Sequence, residues 1–213
     1  MTQYIKADGL VFPYSDRDMK RDNSNVSFPK NITDENRASV GVYPVTIAQK
    51  PAHDVSTQVV EQSTPQEVNG AWIAGWTVRD KTQDELAAYN ERLFSQINTE
   101  RERRLAEGSS FTVEGVVNPI PLQGRPFDQT VYLALLTRAS GLKSAGVITP
   151  ALTLRDGTDT THELTPDQMI SLISQSMTRF ESVMAASWAM KDGTAPFEAG
   201  IPDNFTDDVH WPV

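Results

Sequence analysis

The stretch Thr82-Gln83-Asp84-Glu85-Leu86-Ala87-Ala88-Tyr89 marks where the chain changes character. Thr82 and Glu85 stand three apart, the spacing of a capping box: the hydroxyl accepts from the N3 amide and the carboxylate reaches back to the N-cap amide. A helix is expected to begin there. Leu86, Tyr89, Leu93 and Ile97 make one apolar stripe, which fades into Glu100-Arg101-Glu102-Arg103-Arg104 before Gly108 offers a C-cap. The spacing predicts a packed first half and a largely solvated second half. In that second half Arg101, Arg103 and Arg104 pair with Glu100, Glu102 and Glu107 along the helix instead of contacting phosphate. At 1.5 Å per residue the helix spans roughly 39 Å, long enough to link two parts of the chain.

Upstream, residues 1–80 hold Pro13, Pro29, Pro44, Pro51 and Pro65. Each proline locks φ and removes a donor, so long helices are excluded. Short β-leaning pieces remain: Val40-Gly41-Val42-Tyr43, Thr57-Gln58-Val59-Val60-Glu61 and the run at residues 71–78, where Trp72, Ala74, Trp76 and Val78 share a face by alternation. Asn69-Gly70 is a hairpin signal, expected to pair the strand around Val59 with the one around Trp72 through a loop containing Pro65. Ser15 with Asp18 three residues on predicts one short helix through Met19, Lys20 and Arg21.

Downstream, Phe111-Thr112-Val113-Glu114 and Val116-Val117 lean towards strand, and Pro119, Pro121 and Pro126 confine them to an edge or a short hairpin. Asp128 is the expected N-cap of a helix with Tyr132, Leu135, Leu136 and Ala139 on one face and Gly141 or Gly146 at its end. Asp156-Gly157 reads as a turn between two short strands. Thr165-Pro166-Asp167-Gln168 combines N-cap threonine, proline at N1, an acid in the first turn and a closing glutamine. Ile170, Ile173, Met177, Phe180 and Met184 then step by three and four towards Trp188, as an internal bundle core or as a short seam for self-association. From Asp192 onwards come five acids and no lysine or arginine, with Phe197, Ile201, Phe205 and Trp211 set among prolines. Such a tail is either loosely ordered or laid as an extended arm on a partner. The expected class is α+β. Its expected parts are a β-rich attachment region at 1–80, a linking helix at 81–108, a helical domain with small hairpins at 109–193 and an acidic arm at 194–213.

The chain of 213 residues has net charge -9 and no cysteine. The missing cysteines exclude disulfides, a thiolate zinc site and a cysteine nucleophile. An acidic chain without a basic cluster argues against nucleic acid as main partner. The start at residues 1–8 lacks the pattern of a secretory signal, and the best apolar stretch is far below the roughly 20 residues of a bilayer crossing, so a soluble protein without membrane contact is expected. The densest polar cluster, Asp156, Asp159, His162 and Glu163, lacks the alternating spacing of a calcium loop, and its aspartates read as turn formers. No nucleophile elbow, phosphate loop or dinucleotide fingerprint is present. The expectation is no catalytic residue, no cofactor and no metal. Large aromatics beside prolines need cover: Tyr14, Phe28, Tyr43, Trp72, Trp76 and Trp211 either fill small local cores or anchor the chain on another protein.

Val11-Phe12-Pro13-Tyr14-Ser15, Arg21-Asp22-Asn23, Val26-Ser27-Phe28-Pro29 and Gly41-Val42-Tyr43-Pro44-Val45 follow one another in a defined order. This order resembles the opening of tailed-bacteriophage structural and tail-fibre-associated proteins, with Phe12 in place of the usual first aromatic and Ser24 where proline is common. The back half, from Asn98-Thr99-Glu100-Arg101 through Phe127-Asp128 to Leu164-Thr165-Pro166-Asp167-Gln168-Met169, resembles a phage domain family of unknown function found at the C-terminus of such proteins. The resemblance implies a virion component made in the bacterial host cytoplasm: a tail or tail-fibre-associated adaptor touching tail, fibre or baseplate proteins, able to form homo-oligomers. A tail-fibre assembly chaperone and a capsid decoration protein are the alternatives. The resemblance transfers no active site.

Overall fold

The computed structural model describes residues 2–212. It is an α+β protein in two compact units, Met1–Tyr89 and Asn90–Val213. The first unit contains β1 (Gln3–Lys6), α1 (Asp16–Asp22), α2 (Asp34–Ala38), β2 (Val42–Ile47), β3 (Gln58–Gln62), β4 (Gln66–Val68), β5 (Ala71–Ala74) and β6 (Trp76–Asp80). A sheet in the order β1-β2-β5-β4 is antiparallel except for the parallel β2–β5 pair. Side chains alternate across it, so one face gathers Ile5, Val45 and Ala74 with Tyr43 and Trp72. The opposite face packs Val42 against Tyr14 and Met19, the buried residue of α1. α1 opens on the expected Ser15–Asp18 capping box. α2 has its own box, Thr33 with Asn36, which the sequence reading did not identify.

The run at residues 71–78 is not one strand. β5 ends at Ala74 and β6 begins at Trp76 in a different sheet, a two-stranded ribbon with β3. The transfer is pinned at Gly75, whose amide donates to Ser63 Oγ at 3.0 Å and whose carbonyl accepts from Ser63 N at 3.0 Å. Asn69-Gly70 does make a hairpin turn, with φ of 52° and 79°. It joins β4 to β5, however, while Val60 of β3 faces Val78.

α3 (Gln83–Glu107) crosses from the first unit into the second and carries the expected cap: Glu85 N donates to Thr82 Oγ1 and Thr82 N to Glu85 Oε2 at 2.8 Å. Hydrogen bonds from Arg79 and from the Thr82 amide bring the Glu85 carboxyl down to about 2. The burial of α3 is the reverse of the expected one. Its buried residues are Ile97, Glu100, Arg104 and Leu105, whereas Leu86 and Tyr89 are only half-buried. Glu100 and Arg104 go under cover because their charges are paired and because Phe197, Phe205 and Trp211 pack over this end of the helix, while Glu102 and Arg103 stay exposed.

The second unit continues with β7 (Ser109–Phe111), β8 (Ile120–Leu122), α4 (Pro126–Ser144), β9 (Leu152–Arg155), β10 (Thr161–Leu164) and α5 (Pro166–Asp192). β9–β10 is the hairpin expected around Asp156-Gly157. The other hairpin, β7–β8, differs from the expectation: Val113, Val116 and Val117 lie in the connection, and the second strand is Ile120–Leu122, with Pro121 opposite Ser110. α4 starts two residues before Asp128, with Pro126 in the first turn; Asp128 instead accepts from Arg125 Nε at 2.7 Å. α5 has the predicted Thr165–Gln168 box. Thr165→Ala is expected to cost about 1 kcal/mol, read from the urea midpoint at unchanged slope. Both hairpins, the inner face of α4 and the first half of α5 share one core around Ile120, Leu152, Leu172 and Ile173. A second core joins Ile97 and Leu105 of α3 to Val183 and Met190 of α5 and to Phe197, Phe205 and Trp211. The acidic tail, expected as an arm, is therefore part of its own unit's core. Each of its aromatics removes apolar surface from water at about 25 cal/mol per Å².

Candidate functional site

The six aromatics singled out in the sequence do not form one site. Tyr14 is buried and donates to Asp22 Oδ2 at 2.8 Å. Phe28 packs beside it, on the same small core. Tyr43 and Trp72 stack with centroids 6.4 Å apart on the other face of the sheet. Trp76 donates from Nε1 to the Ala48 carbonyl at 2.7 Å. Trp211 is 4% exposed, donates to the Phe205 carbonyl at 2.6 Å and lies 5.1 Å from the Arg104 guanidinium. All six are engaged within their own units.

The cluster around Asp156 is a turn. One Asp156 oxygen accepts from the amides of Thr158 and Thr160 and from the Thr158 hydroxyl; the other lies 2.8 Å from His162 Nε2. Asp159 pairs with Arg155, and Glu163 accepts from Thr153. Among the described residues no group of three or more His, Asp or Glu is placed to hold a metal ion. Burial by itself would raise the Asp156 carboxyl, but hydrogen bonds from His162, Thr160 and Thr158 outweigh it and hold the group well below the usual carboxylate range. A carboxyl depressed on folding stabilises the protein above its unfolded value near 4, and that contribution is lost as pH falls further. Asp156→Asn is expected to lower stability at pH 7 by about 1–2 kcal/mol and to flatten the loss below pH 4 in urea melts. A variant with the wild-type acid profile would contradict this.

What the sequence did not reveal is a cavity of about 230 Å³ in the second unit. Leu105 and Gly108 at the end of α3, Phe111 and Leu122 of the β7–β8 hairpin, Tyr132 and Leu133 of α4, and Met177 and Phe180 of α5 line it. The hairpin is fastened where α3 ends, since Gly124 N donates to the Leu105 carbonyl at 2.8 Å, satisfying one of the helix's terminal acceptors. Gln175 Nε2 donates to Thr112 O and Gln168 Nε2 to Glu114 O, both at 3.0 Å, tying α5 to the segment after β7. Burial, with Asp128 nearby, pushes the Tyr132 phenol up to about 12, so it stays neutral.

The mainly apolar lining also includes Ser109, Gln129 and Ser176, and Arg179 is its one charged residue. Its Nε is shielded from solvent and has no hydrogen-bond partner. Burial and the like charge of Arg104 lower its pKa, with Glu107 opposing. A sequence signal existed: Gln175, Ser176, Ser182 and Val183, three and four residues away on the helix, include no acid to pair with it. The arrangement offers apolar volume and one unsatisfied cationic donor, which suits recognition of an apolar group next to an anion.

No curated protein and no solved structure matches the chain. A family model described as a domain of unknown function (DUF4376) matches residues 88–209, more than half of the chain and all the elements around the cavity. The chain belongs to the DUF4376 family.

Proposed function

We propose that this protein is a bacteriophage virion structural protein, a tail or tail-fibre-associated adaptor that attaches to neighbouring virion proteins. The observation that carries the reading is the convergence of the ordered N-terminal elements on one small core. Tyr14, Phe28 and Val42, from three of these motifs, pack with Met19, and Asp22 from the fourth accepts from Tyr14. The elements whose order resembles the opening of virion proteins thus build one local fold. Its surface supports the same role. Leu10, Val11, Ile47, Val55, Val68 and Ile73 are each more than a third exposed on the first unit, apolar surface that a neighbouring virion protein would cover.

The test is mass spectrometry of purified phage particles. A stoichiometric band, retained through density-gradient purification, is the expected result. Absence from particles, with recovery on fibre proteins from infected lysate, would overturn the reading in favour of an assembly chaperone.

A further inference from the structure

Three properties of the α4–α5 cavity select an occupant. The first is size. A dry apolar cavity of about 150 Å³ takes one benzene ring, and sites for drug-sized ligands begin at about 300 Å³. At about 230 Å³ this one suits a single aromatic side chain and the start of its backbone. The second is the collar. Leu133, 59% exposed, and Met177, 43% exposed, both line the cavity and still present apolar surface to water. A free small acid would fill the chamber and leave that collar wet, whereas a polypeptide covers both. The third is charge: the Arg179 Nε is withdrawn from solvent without an acceptor, a state that costs free energy until an oxygen arrives. A carboxylate matches the planar guanidinium better than any neutral acceptor.

We propose that the cavity is a docking site for a partner polypeptide that inserts one aromatic side chain next to a carboxylate, the ring filling the apolar chamber and the carboxylate accepting from the Arg179 guanidinium. This deepens the attachment reading and rests on it for the partner being a protein of the same assembly. An acidic protein that keeps one unpaired arginine in an apolar recess discriminates by that arginine, because the surrounding net charge of -9 repels acidic segments elsewhere.

The test uses the full chain carrying ¹³C-methyl methionine. Three probes are titrated: a capped octapeptide with phenylalanine followed by aspartate at its centre and leucine, glycine and serine around them; the same peptide with asparagine for aspartate; and phenylacetate. The Met177 methyl signal is expected to shift saturably with the first probe and to need about tenfold more of the second. Arg179→Gln is expected to erase the difference between the two peptides. Leu133→Glu, at an exposed position that folding tolerates, is expected to abolish the shift independently. A silent Met177, equal binding of both peptides, a preference that survives Arg179→Gln, or phenylacetate binding as tightly as the peptide would each overturn the proposal. Particle mass spectrometry reads the attachment role separately, since neither result depends on the other.

Discussion

Gly108→Ala is expected to lower stability by more than about 3 kcal/mol, with an earlier urea midpoint and loss of the cavity described above. Gly108 has φ of 73°, a region that costs an L-residue roughly 1–2 kcal/mol. The steric term is larger. A Cβ there would stand 1.8 Å from the Leu122 carbonyl oxygen and 2.7 Å from Gln123 Cα, both backbone atoms of the segment fastened to Leu105. Relief requires the β7–β8 hairpin to move off the end of α3, which opens the wall made by Phe111 and Leu122. Gly146→Ala is the control, because φ is 78° there but nothing lies within 4 Å of the added carbon. If both substitutions cost the same to within about 1 kcal/mol, close approach at Gly108 is not what the glycine serves.

The second large effect is at Glu100. Its carboxylate and the Arg104 guanidinium are each 8% exposed and lie 2.7 Å apart, and Arg103 shares the same carboxylate at 2.6 Å. Arg104 also donates to the Thr206 carbonyl at 2.7 Å and pairs with Asp208 at 3.0 Å, holding the tail against the helix. Glu100→Ala leaves the buried Arg104 with only the exposed Asp208 as a charged partner, so it is expected to cost about 3 kcal/mol. The hydrogen bond from Arg103, then that from Arg104, keeps the Glu100 carboxyl below its ordinary value against the opposing effect of burial. Its stabilisation is therefore present above pH 4.5 or so and lost on acidification. The tail should respond as well. Trp211 fluorescence is expected to shift to the red in Glu100→Ala before global unfolding, and an unchanged spectrum would mean that the tail is held by its aromatics alone.

These two sites show which signals reach the level of sequence. Helix starts at Ser15, Thr82 and Thr165 were legible because a cap is a contact between residues three apart. The hairpin turn at Asn69-Gly70 was legible for the same reason, but its partner was not. Whether Val59 or Glu67 faces β5 is decided by where Gly75 and Ser63 switch the chain between sheets. The apolar stripe of α3 does not mark the extent of its burial, because the paired charges at Glu100 and Arg104 count as polar in any sequence window. The cavity is invisible in the sequence, since its lining comes from four segments and its one charged residue, Arg179, is notable there only for having no acid three or four residues away on its helix.

By itself the amino-acid order determined the α+β class, the helix starts at Ser15, Thr82 and Thr165, the hairpin turning at Asp156-Gly157 and the lack of thiol chemistry. All of these follow from backbone geometry or composition within a few residues. Only the tertiary structure decided that the acidic tail belongs to a core, that Glu100 and Arg104 are buried, and that a mainly apolar chamber is lined by an arginine whose Nε has no acceptor. Those outcomes depend on which surfaces meet across tens to about a hundred residues of chain, and desolvation is a property of the surroundings of a side chain, not of its neighbours in sequence.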